Sequence, residues 1–308
     1  MKLEKSQSYP HVIVITGPTA SGKSSLAIEV ARHLGCHIIS ADSRQIYRGI
    51  PITTAVPTPE ERTLVPHHLV ETLELDRYYS AANFEADALR LIEEAAGRGD
   101  KFIVVCGGSM MYIDALLYGL DELPTISDEV RHRVKSMYES LGLEGLVAYL
   151  GNLDAHSLSR VDLNNPRRVM HAVELCLQTG VPASSLLRPE TTAKRDFVYS
   201  KFVIDLPREE LFARINRRVD QMVDEGMENE ARSVFHLRHL NSLNTIGFKE
   251  WFACFDGVMD RATAIARIAK NTRVYAKKQL TWLARQSDVL YLCPRNAKDT
   301  ILKSLDGC

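Results

Sequence analysis

Residues 17–24 are the stretch whose residue types and spacing point most directly to chemistry. They read Gly-Pro-Thr-Ala-Ser-Gly-Lys-Ser and fit the pattern Gly-x-x-x-x-Gly-Lys-Ser/Thr. A β-branched run at 11–16 precedes the stretch and a helical pattern at 25–34 follows it. This context predicts a turn whose backbone N–H groups surround a phosphate at a helix N-terminus. Lys23 is predicted to reach the phosphates, and the Ser24 hydroxyl to bind Mg²⁺.

Asp42 is the acid nearest to this loop in the predicted topology. It follows a second β-pattern at 36–40, and the carboxyl ends of parallel strands share one edge of the sheet. Asp42 could therefore accept a proton from an incoming nucleophile, although a turn former or helix cap would use the same residue type.

The third strand, at 102–106, runs into Gly107 and Gly108. It lacks the carboxylate that phosphate-loop ATPases usually carry there, so ATP hydrolysis has no obvious support.

Positive charge is concentrated in the last long predicted helix, at 261–286, which has seven basic residues and no acidic one. Five of the seven fall within an arc of about 100°: Arg267, Lys270, Lys277, Lys278 and Arg285. In a chain of net charge −1, this concentration favours a polyanion partner over a merely solvated face. The basic surface could extend to Arg131, Arg133, Lys135, Arg167 and Arg168.

Arg214 and Arg218 lie one turn apart on the helix predicted to begin at 208. They could close over a diphosphate as a pair of charge-assisted donors. The alternative interpretation is that they form ordinary surface pairs with acidic residues.

The elements around these residues alternate between strands and helices and predict an α/β fold. The expected architecture is a parallel-sheet core like that of phosphate-loop NTPases, flanked by helices and carrying an inserted all-helical domain. Residues 120–187 have helical patterns and no strand pattern, which places the core domain at 1–119 and 188–308. The proline-rich segment 50–66 is predicted to be an ordered loop at the mouth of the site.

Composition sets further bounds on the protein. Its 308 residues are 25% charged and 45% apolar, which is typical of a globular protein. The six cysteines are scattered without a Cys-x-x-Cys pair, which favours reduced thiols in a cytoplasmic protein and disfavours zinc. The paired His67 and His68 are expected to be structural or surface residues. Because no long apolar stretch or signal core occurs, we expect no membrane association.

Several blocks, in order along nearly the whole chain, resemble the tRNA dimethylallyltransferase family, also called tRNA isopentenyltransferases. They are GPTASGKS at 17–24, ADSRQIYRG at 41–49, CGGSMMYIDALLYGL at 106–120, NNPRRVMHAVE at 164–174, LFARINRRVDQMVDEG at 211–226, IGFKE at 246–250 and NTRVYAKKQLTWLARQ at 271–286.

The resemblance implies transfer of a dimethylallyl group from its diphosphate to N6 of the adenine beside the anticodon in tRNA, with release of diphosphate. Asp42 matches the family's general-base position, Arg218 its diphosphate-binding arginine, and Ser109 a threonine that lines the channel where base and donor meet. The implied diphosphate ligands are Gly17, Thr19, Ala20, Ser21, Gly22, Lys23 and Ser24, with Mg²⁺ on Ser24.

The resemblance also implies how tRNA is held. The target adenine leaves its stack to enter the site, as bases do in other base-modifying enzymes. The 41–49 block would touch that base through Asp42, Ser43, Arg44 and Gln45. The remaining implied tRNA contacts are Arg131, Arg167 and Arg168 in the insertion and Lys270, Arg273, Lys277 and Lys278 in the last helix. We expect a cytoplasmic monomer.

Thr53 and Val56 depart from the family pattern, which usually has a glycine and a lysine at these positions. The loss of a charge near the mouth of the site is expected to affect donor affinity or tRNA contact there. Ser109 keeps the hydroxyl of the family's threonine.

Three other functions remain open at this point. A small-molecule kinase would bind ATP and transfer its γ-phosphate. A prenyltransferase acting on free adenine nucleotides would need neither the insertion nor the basic helix. A non-enzymatic RNA-binding protein would not need Lys23, Ser24 and Asp42 together.

Overall fold

The computed structural model describes residues 9–120, 123–124, 126–186 and 193–305. Its centre is a six-stranded parallel sheet with the strand order β3-β2-β4-β1-β5-β6. The strands are β1 (His11–Thr16), β2 (Ile38–Ser40), β3 (His67–His68), β4 (Phe102–Gly107), β5 (Tyr199–Ile204) and β6 (Val289–Leu292).

The described residues also contain the following α-helices. They are α1 (Lys23–Leu34), α2 (Pro51–Thr54), α3 (Pro59–Leu64), α4 (Ala81–Arg98), α5 (Met110–Tyr118), α6 (Asp128–Leu153), α7 (Ser157–Arg160), α8 (Pro166–Thr179), α9 (Ala183–Leu186), α10 (Arg208–Asp224), α11 (Met227–Ser233), α12 (Phe248–Phe255), α13 (Arg261–Leu283) and α14 (Ala297–Leu305).

The core forms because the central strands are almost continuously apolar, as expected for a parallel sheet covered on both faces. Ile13 and Ile15 of β1 are fully buried in one cluster with Val104 of β4, together with residues of α1 and α14. The predicted α/β fold with a parallel sheet is therefore confirmed.

The sheet register brings three carboxyl ends together. β4 pairs with both β1 and β2, with Gly107 opposite Thr16 and Cys106 opposite Ser40. The phosphate loop follows β1, Asp42 follows β2, and Ser109 follows β4, so the three are neighbours at one edge of the sheet.

The chain divides into two compact units, one of residues 1–117 and 195–308 and one of residues 118–194. The described part of the second unit is helical, with Val134, Leu146 and Val173 at its centre.

Asp154 directly follows α6 as its C-cap residue. Its carboxylate accepts hydrogen bonds from the backbone and hydroxyl groups of Ser157 and Ser184. Burial alone would raise the pKa of Asp154, but these bonds outweigh it and lower the pKa to about 2.

Two local predictions need correction. The segment at 50–66 is not simply a loop, because it contains α2 and α3, and α3 begins with a capping box between Thr58 and Glu61. The signal was present in the sequence as Thr-Pro-x-Glu. The sequence Asn165-Pro166 predicts a helix start with Asn165 as its cap. The helix α8 does begin at Pro166, but the Asn165 side chain makes no capping hydrogen bond. Within the described ranges, no helix has the length and apolar character needed to cross a membrane.

Candidate active site

A cavity of about 390 Å³ opens at the carboxyl ends of β1, β2 and β4. All residues that line it belong to the unit formed by 1–117 and 195–308. They include Lys23 and Ser24 from the phosphate loop, Asp42 after β2, Ser109 after β4 and Arg218 from α10. The structure thus places the predicted catalytic side chains around one cavity with part of the predicted phosphate loop. Gly17, Ser21 and Gly22 of that loop are not lining residues.

The phosphate loop adopts a conformation that ordinary side chains disfavour. Gly22 has a φ of 94° immediately before α1, and Ala20 has a φ of 64°. Gln279 of α13 holds this turn, because its Oε1 accepts a hydrogen bond from the Thr19 N–H at 2.9 Å. Its Nε2 donates to the Gly108 carbonyl, also at 2.9 Å. Gln279 therefore ties the loop to the end of β4.

Lys23 and Arg218 supply positive charge at the loop end of the cavity. Burial lowers the pKa of Lys23, the Cys106 thiol and Asp42 act to raise it, and Arg218 lowers it further. Burial also lowers the pKa of Arg218, against the opposing effect of Asp42. Neither cation forms an ion pair with any residue in the described part of the chain. Two half-buried cations that face one cavity favour an anionic ligand between them.

Arg214 does not act as the second half of a clamp. Its guanidinium pairs with Glu210 at 2.8 Å, and it contacts the Ser21 carbonyl oxygen at 3.5 Å from outside the cavity. Arg218 lines the cavity and Arg214 does not. The alternative interpretation, a surface ion pair, is the correct one for Arg214.

Asp42 serves as a turn former and faces the cavity at the same time. Its Oδ1 accepts hydrogen bonds from the backbone N–H groups of Arg44 at 2.9 Å and Gln45 at 3.4 Å. The other carboxylate oxygen, Oδ2, accepts no hydrogen bond from the residues that the structure describes. One oxygen therefore fixes the side chain, and the other is available to a ligand.

Ser109 is held beside Asp42 by a close approach of two strand ends. A Cβ at Gly107 would lie 2.0 Å from the Ala41 carbonyl oxygen, so only glycine fits at this position. The Ser109 N–H donates to that same oxygen at 3.2 Å, and the Ser109 Oγ accepts a hydrogen bond from the Ser43 N–H at 2.9 Å. Because its oxygen is the acceptor in this bond, the hydroxyl can still donate its proton into the cavity.

Arg44 and Gln45 line the cavity, but their polar atoms bind the protein. The Arg44 guanidinium donates to the carbonyl oxygens of Asn241 and Ser242 at 2.8 and 3.0 Å. Gln45 donates from Nε2 to the Ala55 carbonyl at 2.7 Å and accepts from the Ser40 hydroxyl at 2.9 Å. We therefore interpret both side chains as supports of the cavity wall, and their contact with the target base stays a prediction.

The helix α2 is anchored by a carboxylate from another part of the chain. The two oxygens of Glu230 accept hydrogen bonds from the N–H groups of Ile52 and Thr53 at 2.7 and 2.8 Å. Thr53 lines the cavity and packs against Gly247, where a Cβ would lie 2.6 Å from the Thr53 methyl carbon. Val56 is not a lining residue.

The basic helix α13 presents two different faces. Ile268, Thr272, Tyr275 and Gln279 line the cavity, whereas Lys270, Lys277 and Lys278 are exposed and do not. Arg273 is half-buried and donates a hydrogen bond to Asn216 of α10. In the helical unit, Arg131, Arg167 and Arg168 are exposed. The predicted tRNA contacts of α13 and of the helical unit are thus not lining residues of the cavity, whereas those at 42–45 are.

Several lining residues were missed at the sequence level. Gln279 and Tyr275 lie in a basic block whose charge predicts a surface for a polyanion and not a cavity wall. His67, expected to be structural or surface, also lines the cavity. The only available signal for Gln279 was a neutral polar residue on the apolar side of a basic helix. An apolar part of the wall comes from Val219, Met222, Met227 and Ile246.

Comparison with known proteins identifies the family. The model of the family described as IPPT: IPP transferase matches residues 45–286. The chain belongs to this family. It is 47% identical over 289 residues to tRNA dimethylallyltransferase 2 of Porphyromonas gingivalis, covering 94% of this chain and 96% of that protein. A tRNA dimethylallyltransferase 1 of Phocaeicola vulgatus is 46% identical over 283 residues, covering 92% and 94%.

Solved structures give the same result. The tRNA isopentenylpyrophosphate transferase of Bacillus halodurans is 32% identical and superposes with a TM-score of 0.71, covering 96% of each chain. A eukaryotic dimethylallyltransferase acting on tRNA is 26% identical with a TM-score of 0.80, covering 96% of this chain and 77% of that one. The predicted family, the phosphate-loop fold and the assignment as a prenyltransferase enzyme are confirmed.

Proposed function

We propose that the chain transfers the dimethylallyl group of dimethylallyl diphosphate to N6 of the adenine beside the anticodon in tRNA. In this reaction N6 attacks C1 of the donor and forms the new N–C bond. The bond from C1 to the diphosphate oxygen breaks, and its electron pair leaves with the diphosphate. The proton lost from N6 passes to the Asp42 carboxylate.

The observation that carries the proposal is the pair of cations, Lys23 and Arg218, that face the cavity without a carboxylate partner among the described residues. A diphosphate placed between them gains negative charge as the C1–O bond breaks. Donors fixed in advance at that position stabilise the transition state more than the bound substrate. The apolar wall around Met222 and Met227 suits the prenyl chain.

Magnesium fits this site as an ion that arrives with the diphosphate. No group of three or more His, Cys, Asp or Glu side chains able to hold a metal occurs among the residues described. The Ser24 hydroxyl lines the cavity, and Mg²⁺ commonly uses one or two protein oxygens together with substrate phosphates and water. When bound, Mg²⁺ would neutralise charge on the diphosphate.

Asp42 and Ser109 act at the acceptor end of the cavity. We assign Oδ2 of Asp42 as the proton acceptor, because Oδ1 is already used to hold the turn. The Ser109 hydroxyl is placed to donate a hydrogen bond to the base or to the donor. The exocyclic amine of adenine is a weak nucleophile, so the fixed geometry of these groups must supply much of the rate.

The rest of the tRNA is assigned to surfaces outside the cavity. Lys270, Lys277, Lys278 and Arg273 of α13, and Arg131, Arg167 and Arg168 of the helical unit, are proposed to contact its phosphates. We also propose that the enzyme acts as a monomer in the cytoplasm.

Incubation with radiolabelled dimethylallyl diphosphate, Mg²⁺ and either unmodified tRNA or AMP tests the proposal. We expect label in tRNA and none in AMP. Label in AMP alone, or in neither acceptor, would contradict the proposal. A parallel reaction with γ-labelled ATP addresses the kinase alternative, which requires transfer of the γ-phosphate.

A further inference from the structure

Tyr78 is an exposed aromatic residue in the loop between β3 and α4. Its relative exposure is 73%, whereas the neighbouring aromatic rings of Tyr47 and Tyr112 are buried. Burial raises the pKa of Tyr112, and among the smaller effects on it are those of Asp42 and Tyr78. Tyr78 also influences the hydroxyl of Tyr47. Tyr78 is therefore near enough to Tyr47 and Tyr112 to affect their pKa values.

The loop that carries Tyr78 is held in place on both sides of this residue. The Ser242 hydroxyl donates to the Leu75 carbonyl at 2.6 Å, and the Tyr47 hydroxyl donates to the Arg77 carbonyl at 3.1 Å. On the other side, the Tyr79 hydroxyl donates to Asp87 at 2.9 Å. The backbone around Tyr78 is thus fixed while its ring is left in solvent.

This loop is continuous with the wall of the cavity. Ser242, which holds Leu75, also provides a carbonyl oxygen to Arg44 at 3.0 Å, and Arg44 lines the cavity. Asn244 and Thr245, a few residues further along, are lining residues as well. An exposed aromatic ring on a fixed loop that is hydrogen-bonded to the wall of a base-binding cavity suits a stacking platform.

We propose that Tyr78 stacks on the nucleotide base that neighbours the target adenine in the tRNA loop. The proposal rests on the proposed function, because it assumes that an adenine enters the cavity from an RNA loop. When that adenine leaves its stack, the neighbouring base loses a stacking partner, and the Tyr78 ring replaces it. A flat ring can stack on any base. The contact therefore adds affinity and holds the tRNA loop without selecting a particular base.

Fluorescence of 2-aminopurine tests the contact directly. The base analogue replaces one or the other neighbour of the target adenine in an RNA stem-loop, which is then bound by the complete protein. In one of the two positions, we expect weaker fluorescence with the wild type and with Tyr78→Phe than with Tyr78→Ala. We also expect Tyr78→Ala to weaken RNA binding by roughly 5- to 150-fold, the range typical of one stacked base.

Tyr291→Ala is the matched control, because Tyr291 is an exposed tyrosine of β6, the edge strand of the sheet farthest from β2 and β3. It should leave fluorescence and binding unchanged. Equal fluorescence for wild type and Tyr78→Ala at both positions, in a wild-type protein that does prenylate tRNA, would overturn the stacking proposal alone. Failure of the wild type to prenylate tRNA would overturn the proposed function instead.

Discussion

The two ends of the cavity are built in different ways. The phosphate-loop end relies on backbone geometry within a short stretch, with Gly22 and Ala20 in left-handed conformations before α1. The end formed by residues 42–57 relies on side chains from distant parts of the chain, including Glu230, Asn241 and Ser242. Gln279 and Arg218, from distant helices, complete the first end, but the geometry at its centre is local. The second end depends on tertiary packing, which allows acceptor binding to vary without loss of the diphosphate site.

The largest effect is expected from Asp42→Asn. Asparagine keeps an Oδ1 that can accept the N–H of Arg44, so the turn survives, but it cannot take the proton from N6. Turnover should fall by about 10²- to 10⁴-fold with little change in tRNA affinity, as measured by single-turnover kinetics and filter binding. Asp42→Ala removes the turn as well and should also weaken tRNA binding. Equal losses of binding and turnover in Asp42→Asn would make Asp42 a binding residue.

Arg218→Gln tests the loop end against its neighbour Arg214. Removing a charge that stabilises the leaving diphosphate should lower kcat by roughly 10²- to 10³-fold. Arg214→Gln breaks only a partly exposed ion pair with Glu210 and should change kcat by no more than a few-fold. Steady-state kinetics compares kcat of the two variants. Similar losses of kcat in both would show that Arg214 and Arg218 bind the diphosphate together.

Glu230→Gln tests the end built from distant side chains. Glutamine has one acceptor oxygen in place of two, so the N–H of Ile52 or Thr53 loses its partner and α2 loses an anchor. We expect KM for tRNA or donor to rise by roughly tenfold, since hydrogen bonds to charged groups contribute about 1.5–3 kcal/mol. Glu228→Gln is the matched control. Glu228 lies on the same helix but pairs with the exposed Arg232 and Arg261, so its replacement should change KM little. An unchanged KM in Glu230→Gln would show that α2 needs no such anchor.

The smallest effect is expected from the exposed lysines of α13. Replacing Lys270 and Lys278 by Gln should reduce the slope of log K against log salt by roughly 0.9 for each lost phosphate contact, or about 0.7 for single-stranded RNA. Lys101→Gln with Lys303→Gln is a matched pair of exposed lysines on other elements. Salt titrations of tRNA binding compare the two double variants. Identical slopes would show that these lysines of α13 make no contact with tRNA phosphates.

The same contrast explains what the sequence could predict. The loop at 17–24, the strand at 11–16 and the helix at 110–118 follow from short-range patterns, and the order of the parallel strands brings Asp42 and Ser109 to the loop. The role of Glu230 could not be predicted, because its partners Ile52 and Thr53 lie 178 and 177 residues away. For the same reason, the bonds of Arg44 to Asn241 and Ser242 had no local signal, and its expected contact with the base was assigned by resemblance alone.

Nucleoside analysis of the reacted tRNA is the most direct test of the central claim that one cavity holds a diphosphate at Lys23 and Arg218 and an adenine at Asp42. Wild-type protein, dimethylallyl diphosphate and Mg²⁺ are incubated with unmodified tRNA, which is then digested and resolved by liquid chromatography with mass spectrometry. The account predicts adenosine that carries the prenyl group on N6, and its near absence with Asp42→Asn. A prenyl group on another atom or nucleoside, or full product with Asp42→Asn, would contradict it.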